Sequence, residues 1–174
     1  MTALDNTPYN KNFLNPLNFN FYIKRAPYVN FFVQSVNLPG FGFTTPLQQT
    51  PFTNIPQTGD RIIFQDLEVT FKVDEEMQNY LEIANWIRSI GFPENFEQYA
   101  TLKANRPGSG EEITSDITLI ISNAIKVPQF QIDFRNAFPI NLGRINFQTT
   151  DQTVNYASCT ATFKYILFDI NMIA

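Results

Sequence analysis

The side chains best suited to acid–base chemistry in this 174-residue chain are two adjacent carboxylate pairs, Glu75–Glu76 and Glu111–Glu112. Neighbouring carboxylates on a helix point in different directions. We therefore expect the first pair to lie in a first helical turn, where the dipole favours negative charge, and the second to lie in a solvated loop. The chain has no histidine, which removes catalytic triads, histidine metal sites and the usual general base at neutral pH. The segment from Arg106 (Arg-Pro-Gly-Ser-Gly) lacks the Gly-Lys-Ser/Thr ending of a phosphate loop. The sequence predicts no enzyme, no metal site and no cofactor.

The composition is typical of a protein that meets other protein over large surfaces. The chain has 18 Phe and 7 Tyr but only 16% charged residues, and low charge with many aromatic residues indicates interfaces. A hydrophobic content of 44% excludes a disordered chain. The formal net charge is −4, which argues against a simple nucleic-acid binder, since such proteins usually carry a basic face.

The length fits one domain. The single cysteine, Cys159, stands in an alternating run and is expected to be a small core residue with no disulfide. The first residues lack the basic and apolar regions of a secretory signal, and no apolar run is long enough to span a bilayer. We expect a soluble protein that is made in the cytoplasm.

The first forty residues predict an arm followed by two strands. Residues 1–18 are rich in Asn and Pro and are expected to form an extended arm that becomes ordered only against a partner. Alternation from Phe19 to Ile23 predicts a half-buried strand. A second strand is expected from Tyr28 to Val36, ending at the turn signal Leu38-Pro39-Gly40.

Residues 41–58 combine apolar side chains with Thr, Gln and three prolines. Prolines at this density exclude a central strand. A loop of this length inside a compact domain is usually functional. An apolar loop that cannot bury itself is a candidate for insertion into a neighbouring molecule. The alternative is a loop that folds back over its own core. The candidate contact residues are Phe41, Phe43, Phe52 and Ile55.

The segment 59–91 begins with a turn at Gly59-Asp60 and predicts a strand followed by a helix. The strand runs from Arg61 to Val73 with a break near Gln65-Asp66. From Leu67 onward, apolar residues on one face alternate with Glu68, Thr70 and Lys72 on the other. Asp74 is a favourable N-cap, and Gly91 can end the helix. Helical spacing assigns Tyr80, Ile83, Ala84, Trp86 and Ile87 to packing of this helix.

The last third of the chain predicts four more strands after a loop from 93 to 112, which includes a short helical turn near 94–99. The strands are expected at 116–125, 129–134, 137–149 and 154–169. Many strands, one helix and no βαβ repetition indicate a mainly β fold, an antiparallel β-sandwich or barrel with one flanking α-helix.

The ordered pattern resembles the tail tube proteins of contractile-tailed, T4-like bacteriophages. Three stretches carry the resemblance: Gly59 to Gly91, the strand Phe31 to Gly40 ending in Leu-Pro-Gly, and the run from Phe138-Pro139-Ile140-Asn141-Leu142-Gly143 to Tyr165. In order and spacing it covers residues 19–169. Residues 1–18 and 41–58 depart from the family pattern.

The resemblance implies hexameric rings whose strands form a continuous barrel around a channel, stacked into a tube in the virion tail. It implies tail sheath, tape measure protein, baseplate and tail terminator as partners, and genomic DNA that passes through the lumen without specific binding. Glu68, Thr70 and Lys72 are the candidate lumen-facing residues. Two alternatives share the fold: a tube-fold protein of the baseplate or tail terminus, and the tube of a type VI secretion system or contractile bacteriocin. A third alternative, from another class, is a monomeric carbohydrate-binding β-sandwich.

Overall fold

The computed structural model describes residues 12–91, 97, 100, 113–149 and 156–173. The elements in chain order are β1 (Phe19–Ile23), α1 (Pro27–Phe32), β2 (Val33–Asn37), β3 (Phe41–Phe43), β4 (Leu47–Gln49), β5 (Asn54–Pro56), β6 (Ile62–Phe64), β7 (Leu67–Lys72), α2 (Gln78–Gly91), β8 (Ser115–Ser122), β9 (Pro128–Leu142), β10 (Ser158–Lys164) and β11 (Leu167–Met172). The expected helical turn at 94–99 lies largely outside the described residues. The Arg106 segment, the Glu111–Glu112 pair and residues 1–11 of the expected arm lie wholly outside them.

The fold is mainly antiparallel β, as the sequence predicts. Seven strands form one sheet in the order β1-β8-β9-β10-β7-β2, and β11 also pairs with β9. β10 and β11 follow one edge of the long strand β9 in succession, from Leu142 opposite Ala161 to Phe130 opposite Met172. The sheet curls into an open barrel, because residues of the two terminal strands, β1 and β2, line the same groove.

The barrel core forms where alternating side chains of β7 and β10 face inward. Cys159 lies opposite Phe71 and Ala161 lies opposite Val69, so small residues of one strand leave room for larger ones of the other. Cys159 is buried and its thiol lies 3.2 Å from the Gly143 carbonyl oxygen. Burial raises the pKa of this thiol, so it is a neutral core group, as predicted.

Helix α2 covers one side of the barrel. Ile83 and Trp86 are buried, Tyr80 and Ile87 pack partly buried against the core, and Ala84 is half-buried. The Trp86 ring centroid lies 6.2 Å from that of Phe163. Its indole N–H donates a 2.8 Å hydrogen bond to the Ile113 carbonyl oxygen, so the only tryptophan joins α2 to both the barrel and the chain entering β8.

The predicted strand from Tyr28 to Val36 is wrong over its first half, which forms α1. Pro27 occupies a first-turn position of this helix, where its fixed φ and missing N–H are tolerated. The Tyr28 N–H donates to a carboxylate oxygen of Glu82 on α2 at 3.1 Å. A contact with a residue 54 positions away is not visible in local periodicity.

The predicted helix cap at Asp74 is also wrong, because α2 begins at Gln78. The Met77 N–H donates to the Asp74 carbonyl in a turn, and Met77 has φ 57. The buried side chain of Asn79 then accepts from the Asp74 N–H at 3.4 Å and donates to the Lys72 carbonyl at 2.7 Å. One asparagine thus holds the end of β7 against the start of the helix.

Two predicted strand boundaries differ as well. The sequence predicts separate strands at 129–134 and 137–149, but β9 is continuous and ends at Leu142. It bends at Asn136, which has φ 53, a conformation that asparagine tolerates better than most residues. Conversely, the expected strand 154–169 divides into β10 and β11 at Tyr165-Ile166.

Candidate assembly surfaces

Residues 40–65 form a two-stranded projection, which we call the β arm. β3 pairs with β6 and β4 pairs with β5, so the expected loop is a hairpin. Hydrogen bonds continue the ladder between these pairs, from the Thr44 N–H to the Arg61 carbonyl and from the Gln57 N–H to the Pro46 carbonyl. At about 3.3 Å per residue, ten residues per strand reach about 33 Å from the body. The prolines are tolerated in these strands because each strand pairs on one side only, so a missing N–H can face solvent.

A bulge in the middle of the β arm depends on Gly59, so Gly59-Asp60 is not the turn that the sequence suggests. Thr44 bonds to Arg61 and Pro46 bonds to Gln57, which leaves three residues of one strand opposite one of the other. A Cβ on Gly59 would lie 1.7 Å from the Thr44 carbonyl oxygen. Only glycine fits at this approach.

The outer part of the β arm exposes apolar side chains without any charge. Thr50 and Thr53 close the tip, with the Thr50 N–H donating to the Thr53 carbonyl at 3.1 Å. Phe52 between them is 97% exposed, and Phe43 and Ile55 are also exposed. Residues 41–58 include no Asp, Glu, Lys or Arg. An uncharged apolar projection of this size is typical of an interaction site.

Phe41, the fourth candidate contact residue, lies at the root of the β arm and is as exposed as Phe43, each at 61%. Its ring centroid is 6.1 Å from Phe168 and 6.3 Å from Phe64. Phe64 and Phe168 in turn lie 5.9 Å from Tyr165. Phe134 completes this root cluster at 5.1 Å from Tyr165. The root cluster is not visible in the sequence, since its members come from four strands and the β10–β11 junction.

Tyr165 supplies the polar contact of the root cluster. Its hydroxyl donates a 2.8 Å hydrogen bond to the Gln65 carbonyl, between β6 of the arm and β7 of the body. Burial and the nearby Asp66 carboxylate raise the pKa of Tyr165 to about 12, so the hydroxyl remains a donor. Asp66 itself forms an ion pair with Lys164.

Outward-facing side chains of four strands form one polar face, which includes the three candidate lumen residues. Thr70 and Thr160 share a 3.0 Å hydrogen bond between hydroxyls, and Glu68 accepts from the Asn37 amide at 3.1 Å. The Lys72 ammonium donates to the Tyr156 carbonyl at 3.1 Å. Cross-strand pairing assigns the following residues to the polar face: Ser35, Asn37, Glu68, Thr70, Lys72, Asn141, Ser158, Thr160 and Thr162. Lys164 continues the outward alternation of β10 and forms an ion pair with Asp66 beside Glu68, so two lysines and two acids leave this surface with no net charge.

The four-stranded section of sheet that carries the polar face, β2-β7-β10-β9, has an open edge on each side. β2 pairs only with β7 among the described residues, and the last residues of β9, 138–142, pair only with β10. The order β2-β7-β10-β9 is antiparallel throughout, so the two edge strands run in opposite directions. An unpaired strand edge is a template for another strand.

Sites for other chemistry are not found in the part of the chain that the structure describes. No three His, Cys, Asp or Glu residues there lie close enough to hold a metal ion. Nor does any described helix have the length and apolar character needed to cross a membrane.

Solved structures from contractile injection systems share the fold. A chain of the PVC sheath/tube terminator has a TM-score of 0.58 at 14% identity, over 93% of this chain and 99% of that one. A chain of the anti-feeding prophage tube-terminating cap has a TM-score of 0.57 at 15% identity, over 99% and 100%. A chain of the PVC sheath–tube complex has a TM-score of 0.54 at 14% identity, over 99% of both.

The sequence comparison is more specific. No curated protein matches the chain in sequence, whereas the model of the phage tail tube protein family matches residues 9–171. The match includes all three stretches that carry the resemblance, namely Phe31 to Gly40, Gly59 to Gly91 and Phe138 to Tyr165. The chain belongs to the phage tail tube protein family.

Proposed function

We propose that this protein is a structural subunit that closes into a six-membered ring, and that the rings stack into the hollow tube of a virion tail. The observation that carries this proposal is the pair of open edges on either side of the polar face. β2 of one copy and residues 138–142 of β9 in the next run in opposite directions. Lateral pairing would extend the antiparallel order from copy to copy, and a cyclic head-to-tail contact of this kind closes a ring.

The polar face would then line the channel. Its hydroxyls and amides are neutral, and the Lys72 ammonium is bonded within the subunit. A wall without a cluster of free cations gives DNA phosphates little to bind. We infer that Glu68, Thr70 and Lys72 face the lumen and that genomic DNA passes them during ejection without specific binding.

The β arm would make the contact between rings. Phe43, Phe52 and Ile55 are 61%, 97% and 43% exposed on the subunit, so another molecule must cover them to remove the rest of their apolar surface from water. Phe41 packs on one side in the root cluster and keeps 61% of its side chain exposed, so it would add to the same contact at the root of the arm. Because the arm and its acceptor are different surfaces, the contact repeats without closing and yields a tube.

The partners that follow are the tail sheath outside, the baseplate and tail terminator at the ends, and the tape measure protein in assembly. Assembly would take place in the host cytoplasm. Structures with this fold include chains of a baseplate, a tube-terminating cap and a sheath–tube complex. The family match favours the repeating tube subunit. A terminal ring or the tube of an injection machine is the second candidate.

Cross-linking between the two open edges tests ring closure. Ser35→Cys and Asn141→Cys, combined in a Cys159→Ala background, place one thiol on each edge of the polar face. A short bis-maleimide should give covalent oligomers up to six subunits, while either single variant should give dimers at most. Assembled particles in which the double variant also stops at dimers would show that other strands close the ring.

A further inference from the structure

The β arm and helix α1 lie at opposite ends of the β2–β7 strand pair. Asn37 pairs with Glu68 next to the arm, whereas Val33 pairs with Phe71 at the other end, directly after α1. In a stack of identically oriented rings, the arm of one copy approaches the α1 end of a copy in the next ring. The acceptor must therefore be sought at that end.

A groove at the α1 end separates the two terminal strands of the open barrel, and we call it the seam groove. It has a volume of about 610 Å³ and is lined by Leu17, residues 19–22, Pro27, Asn30, Phe31, Val33 and Gln34. Phe31 is 86% exposed and Leu17 is 83% exposed. No lining residue carries a charge, which matches the uncharged outer part of the β arm.

The β1 side of the seam groove offers main-chain hydrogen bonds. The Asn30 side chain accepts from the Ile23 N–H at 2.8 Å and donates to the Ile23 carbonyl at 3.3 Å. These groups point away from β8, because the Asn18 carbonyl accepts from Ser122 on the β8 side and peptide groups alternate along a strand. The main-chain groups of Phe19 and Phe21 therefore point into the groove, in position to pair with an added strand.

The two edges of the β arm differ in their capacity to pair. The hydrogen bonds from Gln57 to Pro46 and from Thr50 to Thr53 fix which residues face inward, so the groups of Leu47 and Gln49 face outward on β4. On β5 the outward residues are Asn54 and Pro56, and proline has no N–H to donate. Only β4 therefore presents a complete edge.

We propose that the seam groove receives the β arm of a second copy in the adjacent ring, with β4 adding to the open edge of β1. This inference rests on the proposed stacking of rings and names the surface that accepts the arm. Pairing satisfies the main chain on both edges, and the aromatic tip removes Phe31 and Leu17 from water.

Disulfide trapping in assembled particles tests this pairing. In a Cys159→Ala background, Asn20→Cys on β1 is combined separately with Gln48→Cys and Gln49→Cys, since one of the two must share its face. We expect one of these pairs to link subunits of adjacent rings under mild oxidation. Asn54→Cys, opposite Gln49 in the arm, is the matched control and should not link to Asn20→Cys, because Cβ atoms must approach to about 4 Å.

A proline pair gives an independent readout. Gln49→Pro removes the N–H of the β4 edge, whereas Asn54→Pro changes the same rung on the other edge and leaves β4 intact. We expect folded rings that no longer stack for the first variant and normal tubes for the second. Two results would overturn the proposal that the seam groove accepts the β arm: normal tubes with Gln49→Pro, or assembled tubes in which Asn20→Cys links to neither Gln48→Cys nor Gln49→Cys. Either result would leave the stacking of rings intact. If neither the wild-type protein nor the folded cysteine variants form stacked rings, the proposed function itself is contradicted.

Discussion

The hydroxyl of Tyr165 donates a 2.8 Å hydrogen bond to the main-chain carbonyl of Gln65, which ties the barrel core to the root of the β arm. Gln65 connects β6 of the arm to β7 of the body, and its N–H donates to the Gly40 carbonyl on the opposite strand. A single side chain of the body thus bonds to the rung from which the whole arm projects. The direction of the arm is set by the same core that stabilises the fold.

Replacing Tyr165 with Phe should loosen this root without unfolding the subunit. Loss of a buried hydrogen bond, with the Gln65 carbonyl left unpaired, is expected to lower the free energy of unfolding by about 1 kcal/mol. Hydrogen exchange should accelerate in residues 40–65 more than in β10. Tyr156→Phe, at an exposed tyrosine, is the matched control and should change neither quantity. Equal acceleration across the barrel would mean that Tyr165 serves general stability alone.

Alkaline pH should destabilise the protein through the same residue. The pKa of Tyr165 is raised from 10.0 to about 12 in the folded state, so between these values the folded chain holds a proton that the unfolded chain has lost. Stability therefore falls as pH rises from about 10 to about 12. Urea unfolding across this range should show a smaller decline for Tyr165→Phe than for the wild type. Parallel pH profiles for the two proteins would refute this linkage.

Deleting residues 46–56 should abolish stacking but leave a folded subunit. The removed residues carry no buried side chain, so the core loses nothing. The far-UV circular dichroism spectrum should retain its strand signal. Sedimentation should show single rings and no particles larger than a ring. A gentler variant, Phe52→Ser, should weaken stacking without abolishing it. A deletion variant without β structure would contradict the assignment of the β arm to assembly.

Trp86 should be the costliest residue of α2 to truncate. Trp86→Ala removes a buried ring and the hydrogen bond to Ile113, so we expect a loss of about 3–5 kcal/mol in unfolding free energy. Leu81→Ala on the exposed side of the same helix should cost within about 0.5 kcal/mol. Chemical denaturation of both variants checks this, and similar losses would place the packing face of α2 elsewhere.

Adding a free cation to the polar face should make the channel adhesive. Thr70→Lys introduces a lysine near Thr160 with no acid partner in its cross-strand pairs. Tubes of this variant should retain short duplex DNA at low salt and release it as salt rises. Thr70→Gln is the neutral control of similar length and should retain none. If Thr70→Lys tubes retain no DNA, or retain it only at their ends, the polar face lies outside the lumen.

Local patterns in the sequence predict the parts of the fold that depend on local physics. The period-two alternation from Leu67 to Lys72 predicts β7 and its two faces, and helical spacing around Trp86 predicts α2. Two features depend instead on distant contacts: α1 on the Glu82 carboxylate and the root cluster on strands remote in sequence. The start of α2 depends on the Asn79 side chain, whose bonds to Asp74 and Lys72 are close in sequence but do not follow from helical or strand periodicity. The sequence predicts a functional loop at 41–58 but not its strand pairing, because prolines normally argue against strands and are tolerated here on open edges.

Electron microscopy of the purified protein at high concentration, with and without isolated baseplates to nucleate assembly, shows directly whether this chain builds a tube. We expect hollow tubes of stacked six-fold rings, and the Phe52→Ser variant should shorten them. A uniform population of 20.0 kDa monomers in both samples would contradict the claim that this chain builds a tube.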